Sequence, residues 1–341
     1  MEQFKVVLVG AGGMGRRWAA NVRDTADTVL AGWVDVRPEG LARAADALNV
    51  RPAYLGPSLD EALARVQPDF VVDATPPMAH HDVTVQALAA GVPVLGEKPM
   101  AASLEQARAM VAAAERSGRL YVVSQNRRYD RNLWALRGLI ADVIGPLGLL
   151  NADYYMGDHA PGHVRDLANP LLLDMAIHTF DAARYLTGAE PVHVYCEAFN
   201  PPWSWYAGPA CASAIFELTG GLRFTYRGSD CSDGVATTWD AEWRAVGARG
   251  TAVWDGRGSP RAEIVEAVEG PRVRLREVRP EVETAGVEGI AGTLRDFVRA
   301  LRTGVPPMGE CHDNIKSVAM VFAAMESAAS GLRVAVPPLW S

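Results

Sequence analysis

Over the first 125 residues, short apolar runs alternate with segments whose apolar residues recur at helical spacing. The runs "KVVLVG" (5–10), "LAGWVDV" (30–36), "DFVVDAT" (69–75), "VPVLGE" (92–97) and "LYVVSQ" (120–125) predict strands buried on both faces. The stretches "PEGLARAADAL" (38–48) and "MAASLEQARAMVAAAERSG" (100–118) predict helices, the second with Ser103 as its N-cap and Gly118 as its stop. Strands alternating with helices point to a parallel, doubly wound sheet.

After residue 126 the pattern changes. A helix at 130–142, a strand at 147–156 and a loop rich in His, Pro and Gly precede a strong helix at 171–187. Successive strand-like runs follow without helices between them: "VHVYCEAF", "CASAIFEL", "LRFTYRGS", "WDAEWRAVG" and "GTAVWDG". Such a series predicts a largely antiparallel sheet with one open face. Helices near 286–303 and 313–330 close the chain. The expected fold is α/β: a doubly wound domain over 1–125 and a second α/β domain over 126–341.

Composition narrows the function classes. The 341 residues are 49% hydrophobic and 21% charged, with a formal net charge of −7. This is ordinary for a globular protein, and it carries no basic run for nucleic acid. No stretch approaches the roughly 18 apolar residues of a membrane span. The four cysteines (196, 211, 231 and 311) form no Cys-x-x-Cys pair. They are expected to be free thiols in a cytoplasmic protein, not a disulfide frame or a zinc site.

In "VVLVGAGGMGRRWAANV", Gly10, Gly12 and Gly15 stand in G-x-G-x-x-G spacing between a strand and a helix, with Gly13 and Met14 inside the loop. The first glycine permits the tight turn, the second lets backbone amides approach a pyrophosphate, and the third lets helix and strand pack closely. Asp35 ends the next strand, where its carboxylate can accept the ribose hydroxyls of NAD. Arg37 is also near and can pair with a 2′-phosphate, so NAD is expected and NADP stays open.

In "GVPVLGEKPM" the charged pair Glu97 and Lys98 ends an otherwise apolar strand. Ligands of open α/β sheets bind outside the carboxyl ends of the strands, so Lys98 is expected to face a nicotinamide, with Thr75 and Pro76 lining the same crevice. The plain alternative for Lys98 is a solvated loop lysine. Asp174 and His178 are four apart on the helix "LLLDMAIHTFDAARYL" and should share a face. Such a pair serves catalysis or a structural hydrogen bond. His159 and His163 are also four apart, but Pro161 and Gly162 interrupt any helix there. They read as loop residues near substrate, with no metal expected.

Together, the glycine loop, "TPPMAHHDVTVQALAAGVPVLGEKPM" and "DMAIHTFDAARYLTG" resemble the Gfo/Idh/MocA family of nicotinamide-dependent oxidoreductases. "EWRAVGARGTAVWDG" and the closing helix extend the resemblance over nearly the whole chain. It implies a Rossmann domain, a substrate domain with an open sheet, and redox chemistry on sugars or cyclitols. It carries a catalytic lysine onto Lys98 and a catalytic Asp and His onto Asp174 and His178. His80 matches its Thr-Pro-x-x-x-His pattern, and His80 and Glu97 join the cofactor side. One departure is "ANPLLLD", where many members have a glycine run.

An unperturbed lysine, with a pKa of about 10.4, is neutral about once in 2,500 at pH 7, whereas a histidine at about 6.5 is mostly neutral. His178 is therefore the preferred general base, Lys98 the group that stabilises the alkoxide, and Asp174 the residue that orients His178 or binds a hydroxyl. Lys98 as the base is the other arrangement. In "QNRRYDRNLW", Asn126, Arg127 and Tyr129 are further substrate contacts, as is His159. Trp203, Trp205 and Tyr206 cluster in a loop suited either to a sugar face or to a subunit interface. The resemblance also implies a homodimer or homotetramer built through the open sheet. Two rival functions share the fold: an NAD-dependent glycoside hydrolase, and a non-catalytic sugar or nucleotide sensor.

Overall fold

Val6, Val7 and Leu8 alternate in direction along β1 (Phe4–Val9), yet all three are fully buried, so both faces of the first sheet are covered. The computed structural model describes residues 3–159, 162–282 and 286–339, which form two compact units. The first unit's other strands are β2 (Thr28–Val34), β3 (Tyr54–Gly56), β4 (Phe70–Asp73), β5 (Val94–Gly96) and β6 (Tyr121–Val123). They pair in the order β3-β2-β1-β4-β5-β6, all parallel. The order reverses between β1 and β4, which opens a crevice at their carboxyl ends.

Local chemistry sets the connecting helices. α1 (Gly13–Asp24) opens from the glycine loop, and α2 (Pro38–Ala47) starts on a proline, which has no N–H to lose there. Ser58 caps α3 (Leu59–Val66) by accepting the Glu61 amide. α4 (Pro77–Ala89) again begins at a proline. Ser103 caps α5 (Leu104–Ser117) through the Gln106 amide, and Gly118 ends it. The predicted helix over 100–118 therefore starts four residues later, where the serine stops the extended chain. β3 was absent from the apolar pattern because it is a three-residue edge strand with Leu55 exposed.

The second unit holds a nine-stranded sheet. Its strands are β7 (Leu147–Tyr155), β8 (Pro191–Phe199), β9 (Cys211–Leu218), β10 (Arg223–Ser229), β11 (Glu242–Gly247), β12 (Gly250–Trp254), β13 (Arg261–Glu269), β14 (Arg272–Val278) and β15 (Val334–Ala335). The order is β14-β13-β12-β11-β7-β10-β9-β8-β15, antiparallel except for β7 with β10. α6 (Arg131–Gly138) and α7 (Ile177–Thr187) belong to this unit. Phe180 of α7 packs edge-on against Phe216, Phe224 and Tyr226, which anchors that helix on one face of the sheet. The other face is open: Asn151, Asp153, Thr225 and Arg227 surround a groove of about 860 Å³, and Ile215 and Tyr195 are exposed on the same face.

The chain then returns to the first unit with α8 (Gly289–Thr303). Phe297 sits 5.0 Å from Phe70, ring to ring, and Leu294 and Val298 join the same core. α9 (Cys311–Ser330) begins in the first unit and ends in the second. Residues 287–318 thus belong with 1–126, a return that a single boundary at 125/126 does not include. Among the described residues no helix is long and apolar enough to cross a membrane.

Candidate active site

The glycine loop has the close approaches its spacing requires. A Cβ on Gly10, at φ +103°, would lie 2.5 Å from the Ala74 carbonyl oxygen, and one on Gly15 would lie 2.1 Å from the Gly10 carbonyl oxygen. Gly12 and Gly13 are exposed and nothing stands near their Cβ directions. No side chain caps α1 and its first turn carries no acid, so its amides and positive end face outward. That cradle fits a pyrophosphate. Met14 is half-buried against the core. The Trp33 indole donates to the Gly10 carbonyl at 2.8 Å, a brace that glycine spacing cannot reveal.

Asp35 is buried and accepts the Ala11 amide at 2.7 Å and the Arg37 amide at 2.8 Å. Its carboxylate is thus built into the loop as well as placed at the end of β2. The Arg37 side chain is exposed, with its Nε 3.6 Å from the same carboxylate.

At the ends of β4 and β5, the Glu97 amide donates to the Asp73 carbonyl at 2.8 Å. Glu97 turns inward and accepts the Trp18 indole N–H at 2.7 Å. Burial pushes the Glu97 carboxyl above its ordinary value, and the Trp18 bond opposes that rise. Lys98 is half-buried, and its peptide bond to Pro99 is cis. The Thr75 hydroxyl points to Asp73 at 2.6 Å, and Pro76 is exposed as the N-cap of α4. His80 is 2% exposed, with Nδ1 3.1 Å from Asp73. The strand ends therefore gather Thr75, His80, Glu97 and Lys98, with His80 and Glu97 behind the surface.

In the second unit, Asp174 lies on a π-helical segment, Leu171–Ala176, that runs directly into α7, where His178 is the second residue. The continuous α-helix expected over 171–187 is thus wider at its start, because both kinds of turn bury the same apolar residues and sequence periodicity cannot separate them. Single π turns inside helices occur often at functional sites. His178 is buried and Asp174 half-buried.

Asn126–Tyr129 forms a 3₁₀ turn, and from Arg127 onward it belongs to this unit. Arg128 pairs with Asp181 of α7 through two hydrogen bonds of 2.7 Å, both groups buried. This bond ties the 126–129 turn to the helix of His178. It was missed because neither residue stands in a recognisable spacing. Arg127 has its Nε 3.6 Å from Asp240. Burial lowers its pKa, while the charges of Asp240 and Asp174 work in the opposite direction. Tyr129 is buried.

His159 is exposed, pairs with Asp233 at 3.0 Å and stacks on Trp205 at 3.8 Å. Of the aromatic loop, Tyr206 is buried, Trp205 is covered by His159, and only Trp203 is largely exposed. The His163 side chain lies outside the described residues. The four cysteines are free, and Cys211 and Cys231, twenty residues apart, bring their sulfurs within 3.7 Å.

The six-stranded parallel sheet and its glycine cradle define a dinucleotide-binding Rossmann domain. Residues 4–125 match the oxidoreductase family model with an NAD-binding Rossmann fold, and residues 135–253 match the C-terminal domain of the same family. The chain belongs to the Gfo/Idh/MocA family. It is 33% identical to an inositol 2-dehydrogenase of an Arthrobacter species over 55% of this chain and 56% of the relative. It is 28% identical to a D-apiose dehydrogenase of Paraburkholderia graminis over 99% of this chain and 91% of that one. The solved structure of GenD2 from gentamicin A biosynthesis, in complex with NAD, superposes with a TM-score of 0.81 at 25% identity, covering 99% and 97% of the two chains.

Proposed function

We propose that this protein moves a hydride between NAD and a carbinol or carbonyl carbon of a sugar, a sugar derivative or a cyclitol. The observation that carries the proposal is Lys98. It stands at the carboxyl end of β5, in the same parallel sheet whose β1–β4 crevice holds the glycine loop. The dehydrogenases acting on inositol and D-apiose among the relatives support a polyhydroxylated substrate.

The amides at the start of α1 hold the pyrophosphate, and Asp35 accepts the ribose hydroxyls in preference to a 2′-phosphate. The bound nicotinamide supplies the hydride acceptor, or the donor in the reverse direction. During oxidation, the hydroxyl proton passes to a ring nitrogen of His178 while the carbon–oxygen double bond forms. The Lys98 ammonium stabilises negative charge on that oxygen, the kind of donor whose loss costs about 10²–10³ in rate. Asp174 orients His178 or binds a neighbouring hydroxyl. Asn126, Arg127, Tyr129 and His159 complete the substrate contacts. The free cysteines accord with a cytoplasmic location, and the open sheet face is the proposed surface for a homodimer or homotetramer.

The test is nicotinamide absorbance with NAD and with NADP across aldoses, inositols, anhydrosugars and keto-sugars, in both directions. Net turnover with one class, reduced at least about a hundredfold by Lys98→Ala while NAD affinity stays within about threefold, is the expected result. An active Lys98→Ala enzyme removes the lysine from the mechanism. No net turnover from protein purified with its cofactor still bound replaces the dehydrogenase with the redox-assisted glycosidase.

A further inference from the structure

Behind Lys98 lies a polar group that the proposed reaction does not use. Asp73, the last residue of β4, is 0% exposed. A buried carboxylate costs several kcal/mol unless its oxygens are satisfied. Here both are: one accepts the Thr75 amide at 3.1 Å and the Thr75 hydroxyl at 2.6 Å. The other accepts the Thr84 hydroxyl at 3.3 Å and faces His80 Nδ1 at 3.1 Å. Nδ1 also lies 3.2 Å from the Thr75 hydroxyl, which itself donates to Asp73, so a proton on Nδ1 serves both oxygens and holds the ring in place. Nε2 then points away from Asp73, fully buried, and no described group bonds to it.

The charged groups facing His80 are Asp73 from β4 and, from the end of β5, Glu97 and Lys98; Tyr121 of β6 faces Asp73. Burial lowers the affinity of His80 for a second proton, but the charge and hydrogen bond of Asp73 outweigh it, and the net shift is upward. The imidazole is therefore buried against Asp73 next to the Glu97–Lys98 strand end, with its affinity for a second proton raised. Were its role only to pack α4 on the sheet, an apolar pair of the same volume would serve at lower electrostatic cost.

We propose that Asp73 and His80 form a positioning pair for Lys98, tying the ends of β4, β5 and α4 together and holding the lysine where the β5 strand emerges. The proposal rests on the reading of Lys98 as the catalytic lysine. Two substitutions separate the parts of the pair. In His80→Asn the side-chain amide replaces Nδ1 and keeps the bond to Asp73. In His80→Gln the amide replaces Nε2 and loses that bond.

The chain has only three lysines, Lys5, Lys98 and Lys316, so reductive ¹³C-methylation gives a spectrum that Lys98→Arg assigns directly. The expected result is a Lys98 methyl resonance that moves with pH through an inflection above the ordinary histidine value of about 6.5. That inflection disappears in both His80 variants. In turnover His80→Gln, which loses the bond to Asp73, loses roughly ten- to hundredfold in kcat with little change in KM for NAD, the scale of a misplaced reacting group, whereas His80→Asn, which keeps the bond, retains most of kcat. A Lys98 resonance indifferent to His80 in folded variants overturns the proposal. Loss of the fold in His80→Asn and His80→Gln alike also overturns it, because the pair would then be packing alone. The resonance experiment needs no substrate: coupled titration in a protein without turnover rejects the catalytic reading and leaves the positioning intact.

Discussion

Trp18→Phe tests how the first helix supports the strand end that carries Lys98. Trp18 is fully buried on α1, and its indole N–H donates to Glu97 at 2.7 Å, where the carboxyl is only 7% exposed. A hydrogen bond to a charged group contributes about 1.5–3 kcal/mol. Phenylalanine leaves a smaller void than the Trp→Ala changes that cost roughly 3–5 kcal/mol, so the two losses together come to about 2–4 kcal/mol.

The pH dependence carries the sharper test. Burial already raises the folded Glu97 carboxyl above its ordinary value of 4.5. The folded state thus binds this proton more tightly than the unfolded chain, and stability falls as pH rises from the unfolded value through the folded one. Removing the indole donor raises the folded pKa further and extends that window upward. Urea unfolding should show a modest loss for Trp18→Phe at about pH 5 and a larger one at about pH 8. An equal loss at both would mean that Trp18 supports the core and not the carboxylate.

Gly15→Ala places a methyl 2.1 Å from a backbone oxygen that no rotamer can move. Calorimetry should show NAD affinity reduced more than about tenfold, and unchanged affinity would mean that the loop can open without cost. Arg128→Met removes both hydrogen bonds to the buried Asp181 carboxylate and should cost about 3–5 kcal/mol, while Arg128→Met with Asp181→Leu recovers most of it. A double variant as unstable as the single one would mean that the cost does not come from the Asp181 carboxylate losing Arg128. Burial pulls the His312 imidazole down, but its hydrogen bonds to Glu310 and Glu115 outweigh this and hold it above 6.5. Its stabilisation is complete below the unfolded value and is lost as pH rises through the folded one, so His312→Ala should flatten the decline of Tm across that interval. The effect is small, because the side chain is 43% exposed and screened.

Five of the six parallel strands could be read from the chain because strands covered on both faces are continuous apolar runs. The hairpin of β13 and β14 could not, since Val265, Val268, Val273 and Leu275 are all exposed and no core imposes a pattern there. The residues of the glycine loop and the strand ends were legible because tight turns and phosphate approach demand particular residue types. Their supports were not. Trp33, Trp18, Asp73 and Arg128 reach partners 23, 79, 7 and 53 positions away; the first three sit in segments that their apolar neighbours already explain, and Arg128 sits in a polar run where no spacing singles it out. The π turn at Asp174 was hidden for a related reason: hydrophobic spacing records which residues are buried, not how many complete a turn.

The return of residues 287–318 to the first unit bears on how the chain is made. Phe70 lies against Phe297, and Leu294 and Val298 fill the same interior. A nascent chain that has released residue 126 has every strand of the parallel sheet but not the helix that covers one side of its core. At roughly 5–20 residues per second, synthesis needs about ten to forty seconds more to deliver residue 318. Over that interval the nucleotide-binding half presents apolar surface that only the far end of the same chain can cover. The last-made segment thus acts as the closing stitch of the first-made unit, and a ribosome-bound intermediate stalled between these points is the form of this protein most dependent on a chaperone.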